Sequence, residues 1–317
     1  MQTLAQLKAG KLAGTTTLKL AENLQHFPEE IFSLADTLEV LDLSGNQLSA
    51  LPHNLSRLAK LRILFCSGNP FTELPAVLAD CPSLDIVGFK ACNIEHIPAE
   101  ALNKNLRWLI LTDNKIGHLP DTIGACSRMQ KLMLAGNQLT YLPDTLANCK
   151  RLELLRISSN RLAQFPHFLL AMPRLAWLAY SGNPFCKPPA PLLPTEIPWH
   201  SIQKGPNLGE GASGTIFQGQ LMHEGKMTPA AVKLFKAHMT SVGNPDDEMY
   251  ATIAAGNHKG LLQLMGSISN RPEGRKGLIM QLLDDQYKVL GLPPTFESCT
   301  RDVFRADHRI SPNHAIT

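Results

Sequence analysis

The chain has 317 residues, of which 44% are hydrophobic and 18% are charged, and its formal net charge is +3. This length suggests about two domains, and this composition is typical of globular proteins with buried cores. The sequence has no block of lysine and arginine and no apolar run near the ~20 residues that span a bilayer. It therefore argues against nucleic acid and membrane as partners and favours a cytoplasmic location.

A repeat organises the chain from about residue 15 to residue 186. Each copy contains an alternating LxL segment, which predicts a short strand, and stacked copies predict a parallel sheet. The copies are 23 residues apart, with one interval of 22, and a degenerate copy precedes them near Thr15. The seven clear copies begin at Leu38, Leu61, Leu84, Leu106, Met129, Leu152 and Leu175.

An amide side chain follows the strand in most copies, where the chain turns out of the sheet. A buried amide at this point can satisfy backbone groups of its own turn and of the neighbouring turn. Cys92 takes this place in one copy. The amide positions are Asn46, Asn69, Asn114, Asn137, Asn160 and Asn183.

The pattern LxxLxLxxNxLxxLP resembles the leucine-rich repeat. The resemblance implies an α/β solenoid over residues 15–186, with parallel strands on its concave face and an N-terminal cap over residues 1–14. The cysteines fit this frame, since Cys81, Cys126 and Cys149 share one repeat position with Leu58 and Met172. Buried apolar side chains are therefore favoured over a metal or redox site.

The outward strand positions predict where a partner binds, because curved solenoids bind with their concave faces. An apolar block lies where solvent-facing strands should be polar, and such patches usually mark interaction surfaces. Lys131 is expected at cation–π distance from Trp108. The alternative is that another part of the same chain covers the block. The predicted residues for binding a protein partner are Ile63, Phe65, Ile86, Trp108, Ile110, Lys131, Met133, Leu154, Arg156 and Trp177.

A proline-rich stretch ends the repeats and predicts a stiff linker over residues 187–199. The second predicted domain, residues 200–317, contains LGEGASGTIFQG with glycines at 209, 211 and 214, followed by AAVK, which ends at Lys233. Residues 215–217 continue as strand, so the glycine loop is predicted to be a hairpin and not the helix start of a dinucleotide site. An ordinary hairpin without a ligand is the alternative.

The order of strand, glycine hairpin, strand and A-V-K strand resembles the small lobe of a protein kinase. NPDDEMYATIAAG, a predicted helix that begins at Pro245, and the strand-like segments LMGSI and KGLIMQLL extend the resemblance to about residue 290. The whole chain resembles the N-terminal part of a soluble bacterial leucine-rich-repeat serine/threonine kinase, with a partial kinase domain made of a β-rich small lobe and one helix.

This resemblance implies ATP and Mg²⁺ as cofactors and Lys233 with Glu248 as the catalytic pair. Asp247 stays open as the alternative partner of Lys233. Met280 would take the gatekeeper place and Leu283 the hinge. The residues implied to bind the nucleotide are Leu208, Gly209, Glu210, Gly211, Ala212, Ser213, Gly214, Ile216, Ala231, Lys233, Met280 and Leu283.

The sequence departs from the kinase pattern after the hinge. The catalytic-loop Asp, its Asn and the DFG Asp, which act as base and hold the metal, have no counterpart in these 317 residues. Two functions therefore compete. The first is a protein kinase whose repeats select a substrate or partner, with the part seen here inactive alone. The second is a non-catalytic scaffold that binds protein through its repeats and carries a degenerate small lobe.

Overall fold

The structure is a computed structural model that contains two separate sheets, one of eight strands and one of six. The first sheet belongs to the repeats and the second to the remainder of the chain. The described residues are 2–186, 194–211, 213–223, 226–236, 244–256, 258–271, 274–284, 287, 291–292, 295–296 and 303–304.

The repeats form a parallel sheet in which each strand pairs with the strands of the adjacent copies. Equivalent residues of successive copies are direct neighbours, so Trp108 pairs with Ile86 on one side and with Lys131 on the other. The degenerate first copy supplies a full strand, and the predicted repeat register is confirmed. The strands are β1 (Thr17–Lys19), β2 (Val40–Asp42), β3 (Ile63–Phe65), β4 (Ile86–Gly88), β5 (Trp108–Ile110), β6 (Lys131–Met133), β7 (Leu154–Arg156) and β8 (Trp177–Ala179).

The opposite side of the solenoid consists of short 3₁₀ helices. Six of the seven begin directly after a proline, whose fixed φ sets the entry of the chain into the turn. The α-helix described in this part of the chain is α1 (Leu4–Lys8), which Thr3 and Gln6 close with a capping box. The 3₁₀ helices are Glu29–Leu34, Leu55–Arg57, Ala76–Asp80, Ala99–Ala101, Asp121–Ala125, Asp144–Asn148 and His167–Ala171.

The asparagine side chains connect each turn of the solenoid to the preceding turn. The Asn137 amide donates to the carbonyl oxygens of Leu111 at 2.9 Å and Leu134 at 3.0 Å, and its Oδ1 accepts from the Ile116 amide at 3.0 Å. All three backbone groups lie in fully buried residues. Without the side chain, those groups would be buried without these partners, so the asparagine is a structural requirement of the turn.

Cys92 fills the asparagine place with fewer hydrogen bonds. Its Sγ donates to the Cys66 carbonyl oxygen at 3.3 Å. In other turns the asparagine Oδ1 accepts from a backbone amide of the preceding turn, as Asn69 does from the Leu48 amide. The equivalent amide before Cys92 is that of Phe71, and it donates instead to the Asn69 carbonyl oxygen at 2.9 Å. The backbone of the preceding turn thus compensates for the missing acceptor.

One continuous hydrophobic core fills the solenoid, and five cysteines belong to it. Burial raises the pKa of Cys81 and of Cys149 to about 12 and the pKa of Cys126 to about 11. Thiols with such pKa values are not nucleophilic near neutral pH. Buried side chains of this kind fit the structural role that the repeat position predicts.

The second sheet joins six strands in the spatial order Ile202–Glu210, Gly214–His223, Lys226–Phe235, Gly277–Gln281, Leu264–Ser269 and Glu196–Pro198. The first of these strands along the chain, Glu196–Pro198, lies inside the segment predicted as linker. It pairs with Ser267–Ser269 and therefore belongs to the sheet. The part of the predicted linker at residues 187–193 lies outside the described residues. The strands are β9 (Glu196–Pro198), β10 (Ile202–Glu210), β11 (Gly214–His223), β12 (Lys226–Phe235), β13 (Leu264–Ser269) and β14 (Gly277–Gln281). A short 3₁₀ helix, Trp199–Ser201, follows β9.

The predicted hairpin and the predicted helix are both present. β10 and β11 are antiparallel and flank the glycine loop, and β12 continues the sheet up to Phe235. The helix α2 (Pro245–Ala254) has Asn244 as its N-cap, whose side chain accepts from the Asp246 amide. A proline in the first turn has a φ that already suits a helix, and the three acidic residues of that turn interact favourably with the positive end of the helix dipole. Both features favour the start of a helix at this point.

Candidate functional site

The concave face of the solenoid carries two rows of outward side chains, one at each end of the three-residue strands. The central residue of each strand, such as Leu109 in β5, is fully buried in the solenoid core. The strand register therefore brings the ten predicted partner-binding residues together in two neighbouring rows.

The apolar block on this face is not exposed, in contrast to the expectation from the sequence. Ile63, Ile86 and Trp108 are buried and form a small cluster of their own, against which Val40 and Phe65 pack. The absence of a side chain at Gly88 gives the Phe65 ring room, since a Cβ there would lie 2.7 Å from a ring carbon. Much of the block is thus buried by neighbouring side chains of the same face.

The second half of the face is cationic and aromatic. Lys131 Nζ lies 3.8 Å from the centre of the Trp108 ring, which confirms the expected cation–π contact. A second cation–π contact lies two strands along, where the Arg156 guanidinium is 5.2 Å from the Trp177 ring. Trp177 is 48% exposed, and burial lowers the pKa of Arg156. This half of the face therefore presents an accessible aromatic ring beside positive charge.

Arg107 borders the apolar block and was not among the predicted site residues. Its guanidinium donates to Asp85 at 3.0 Å and to Gln130 at 3.3 Å, and its Nη2 also donates to the Phe296 carbonyl oxygen at 2.7 Å. The Phe296 ring lies 5.4 Å from the Trp108 ring, tilted by 44°. A residue from the second part of the chain thus lies against the concave face.

A signal for this polar border exists in the sequence. The residue that precedes the strand in each repeat is polar or charged in six consecutive copies, and the signs of the charges alternate along the first four. Since equivalent positions become neighbours in a solenoid, this alternation predicts a ladder of ion pairs. The six residues are Glu39, Arg62, Asp85, Arg107, Gln130 and Glu153.

The second candidate site lies between β12 and α2. The Lys233 ammonium contacts the Glu248 carboxylate, and both side chains are partly buried. Asp247, the open alternative, instead forms a side-chain hydrogen bond with Ser181 and packs against Gly182 in the last repeat. Burial raises the pKa of Asp247. The lysine partner in this structure is therefore Glu248.

In the glycine loop next to this ion pair, backbone amides donate hydrogen bonds to acceptors within the hairpin. The Gly209 amide donates to Asn207 Oδ1 at 2.9 Å, and the Gly211 amide donates to the Gly214 carbonyl oxygen at 2.9 Å. Glu210 forms an ion pair with Lys236 at 2.9 Å. The loop is thus closed by internal contacts.

The other residues implied to bind a nucleotide are spread over the same sheet. Ile216 pairs with Lys233, and Ala231 pairs with Met280, so these four lie on three adjacent strands. Leu208 and Leu283 are exposed, Ser213 is buried, and Ala212 lies outside the described residues.

Among the residues that the structure describes, neither a membrane-spanning helix nor a cluster of metal-ligating side chains is present. No helix there is long and apolar enough to cross a membrane. Among the same residues, no group of three or more His, Cys, Asp or Glu side chains is placed to hold a metal ion.

Family models for repeats match the first part of the chain. The model described as "Leucine Rich repeats (2 copies)" matches residues 36–95, and the model described as "Leucine rich repeat" matches residues 104–162. Together with the parallel sheet, these matches identify the first domain as a leucine-rich-repeat solenoid. The chain therefore contains a protein-interaction domain of the leucine-rich-repeat class.

Similar proteins agree on this domain. The human and mouse proteins named leucine-rich repeat and calponin homology domain-containing protein 1 are each 29% identical over 115 residues, which is 35% of this chain and 16% of theirs. The chain thus matches about a sixth of the length of these curated relatives. The structure of a leucine-rich-repeat protein of Leptospira interrogans superposes with a TM-score of 0.50 at 23% identity, covering 58% of this chain and 53% of that one. This last similarity concerns the fold alone.

Proposed function

We propose that the chain is a protein-binding scaffold whose concave repeat face holds the partner. The observation that carries the proposal is the concentration of tryptophan and arginine in the outward rows, with Lys131 3.8 Å from the centre of the Trp108 ring and Arg156 5.2 Å from that of Trp177. Aromatic residues and arginine are enriched in protein interfaces, and residues of these types dominate binding energies. The exposed ring of Trp177 supplies a contact that needs no rearrangement.

Removal of the aromatic anchors tests this proposal. The double variant Trp108→Ala, Phe65→Ala should lose partner affinity by roughly 2 kcal/mol or more, about thirtyfold, since it removes the ring that positions Lys131 and a second ring that packs beside it at the centre of the face. The measurement is quantitative capture from a lysate of the source cells, with the amounts of the same bound proteins compared between variants. Circular dichroism melting curves verify that the variant is folded.

Tyr141→Ala is the matched control for this experiment. Tyr141 is an exposed aromatic residue that lies outside the concave strands, so its removal takes away a ring without touching the face. Capture by this variant should equal that of the unaltered chain. Equal capture by the folded double variant would contradict the proposal.

A second candidate function, protein phosphorylation, is favoured by one specific observation, the contact of Lys233 with Glu248 across β12 and α2. In the kinase resemblance, ATP supplies the transferred phosphoryl group, and Lys233 and the glycine hairpin would hold its phosphates. The fit is partial. Lys233 has the expected partner, but the amides of Gly209 and Gly211 already donate within the hairpin. The scaffold function therefore has more support.

Phosphoryl transfer can be tested directly on residues 1–317. The base and the metal ligands of a kinase have no counterpart in this sequence, so we expect no incorporation of label from radiolabelled ATP into a generic protein substrate. The Lys233→Met variant sets the background, because methionine keeps the length of the side chain without its charge. Incorporation above this background would contradict the expectation and favour the kinase function.

A further inference from the structure

We infer that the site around Trp108 is a peptide site for a segment with an aromatic side chain, and that the chain's own Phe296 occupies it in cis. This inference rests on the proposed protein-binding function and specifies the partner's chemistry. It also implies that a partner must compete with the segment that carries Phe296.

The contact of Phe296 combines a backbone and a side-chain interaction. Its carbonyl oxygen accepts from Arg107 Nη2 at 2.7 Å, while its ring lies against the Trp108 ring at 5.4 Å. A hydrogen bond to a main-chain carbonyl is available from any extended peptide, whereas the ring contact requires an aromatic residue. The same pairing of main-chain hydrogen bonds for affinity and side-chain contacts for specificity is used in peptide recognition generally.

The Arg107 side chain is preorganised for this interaction by contacts within the solenoid. Its side chain is largely buried, and Asp85 and Gln130 fix the guanidinium from the two neighbouring repeats. The Trp108 ring is fixed by Lys131 on one side and by the Ile63–Ile86 cluster on the other. Because neither side chain has to be ordered on binding, the entropic cost of recognition is low.

The cis contact is shallow enough to be displaced. Phe296 is 51% exposed, although Trp108 beneath it is only 7% exposed. Leu292 and Val303, which flank Phe296 in the sequence, pair with each other through a 2.7 Å hydrogen bond from the Leu292 amide to the Val303 carbonyl oxygen. This bridge lies outside the strands of both sheets.

A labelled peptide supplied in trans tests the inference on the full chain. The probe is the chain's own sequence GLPPTFES, residues 291–298, with an N-terminal fluorophore, and binding is measured by fluorescence polarisation. A tethered segment acts at an effective concentration in the millimolar range, so for a peptide Kd near 0.1 mM it weakens apparent binding about tenfold. The Phe296→Ala chain should therefore bind the peptide about tenfold more tightly than the unaltered chain.

Two controls locate the binding. The peptide GLPPTAES should bind at least tenfold more weakly to the Phe296→Ala chain, and the additional change Trp108→Ala should abolish binding of GLPPTFES. The peptide control does not depend on how a protein variant folds. Equal affinity for both chains would overturn cis occupancy, and no binding to either chain, or binding that ignores the two controls, would overturn the peptide site.

These outcomes are distinct from failure of the scaffold function. If the Trp108→Ala, Phe65→Ala chain captures partner proteins normally while the peptide binds as expected, the face serves only the internal segment and the proposed function fails. If partner capture depends on the face but the peptide does not bind, the further inference fails and the proposed function stands.

Discussion

Asn137→Ala should lower the free energy of unfolding of the solenoid by roughly 3–5 kcal/mol. The substitution removes three hydrogen bonds and leaves the carbonyl groups of Leu111 and Leu134 and the amide of Ile116 without their present partners. Each buried polar group left unpaired costs about 1–3 kcal/mol. Urea unfolding followed by circular dichroism measures the change.

Cys92 offers the matched control, because it stands at the repeat position where the neighbouring copies have asparagine. Cys92→Ala removes two weak hydrogen bonds, from Sγ to the Cys66 and Lys90 carbonyl oxygens, and the Phe71 amide keeps its partner in Asn69. Its effect should be at least 2 kcal/mol smaller than that of Asn137→Ala. Equal effects would show that the amide hydrogen bonds are not what stabilises the turns.

The repeat domain could be predicted from the sequence to the level of single strands. Its determinants are local and recur every 23 residues, so the strand register follows from the spacing of Leu38, Leu61 and their equivalents. The buried asparagines and cysteines followed from the same spacing. The α-helical part of the expected α/β class was less well predicted, because turns of three to six residues that begin at prolines fit the tighter 3₁₀ helix.

The accessibility of the concave face could not be predicted in this way. Periodicity identifies which side chains point outward, and it also places Ile63, Ile86 and Trp108 side by side. The contact of Trp108 with Phe296, 188 positions away, lies outside the repeat and therefore leaves no periodic signal. The alternation of charge at Asp85 and Arg107 was present in the sequence, and it describes the border of the site better than apolar content does.

For the second sheet, the order of the strands, the hairpin and the helix along the chain could be predicted, but the role of each glycine could not. The sequence pattern treats Gly209, Gly211 and Gly214 as equivalent members of one loop. In the structure a Cβ at Gly209 or Gly211 would contact nothing within 4 Å, whereas a Cβ at Gly214 would overlap the carbonyl oxygen of Leu234 on β12. Close approach of two backbones therefore explains Gly214 without any ligand.

Gly214→Ala should accordingly destabilise the second sheet, and Gly211→Ala should not. The β11–β12 ladder would have to shift at Gly214, which pairs with Phe235, and overpacking of this kind costs about 1–3 kcal/mol or more. Hydrogen exchange of the strands β11 and β12, measured by mass spectrometry, should become faster in Gly214→Ala, while the exchange of the solenoid strands stays unchanged because the two hydrophobic cores are separate.

Gly211→Ala separates a ligand-binding role from a structural role, because a Cβ at this position would contact nothing within 4 Å. If Gly211 is part of an ordinary hairpin, the alanine variant should match the unaltered chain both in hydrogen exchange and in binding of a fluorescent ATP analogue. If the loop holds phosphates, the added methyl group should weaken that binding while the exchange stays unchanged. Faster exchange of β11 and β12 in Gly211→Ala, or unchanged exchange in Gly214→Ala, would contradict the distinction between the two glycines.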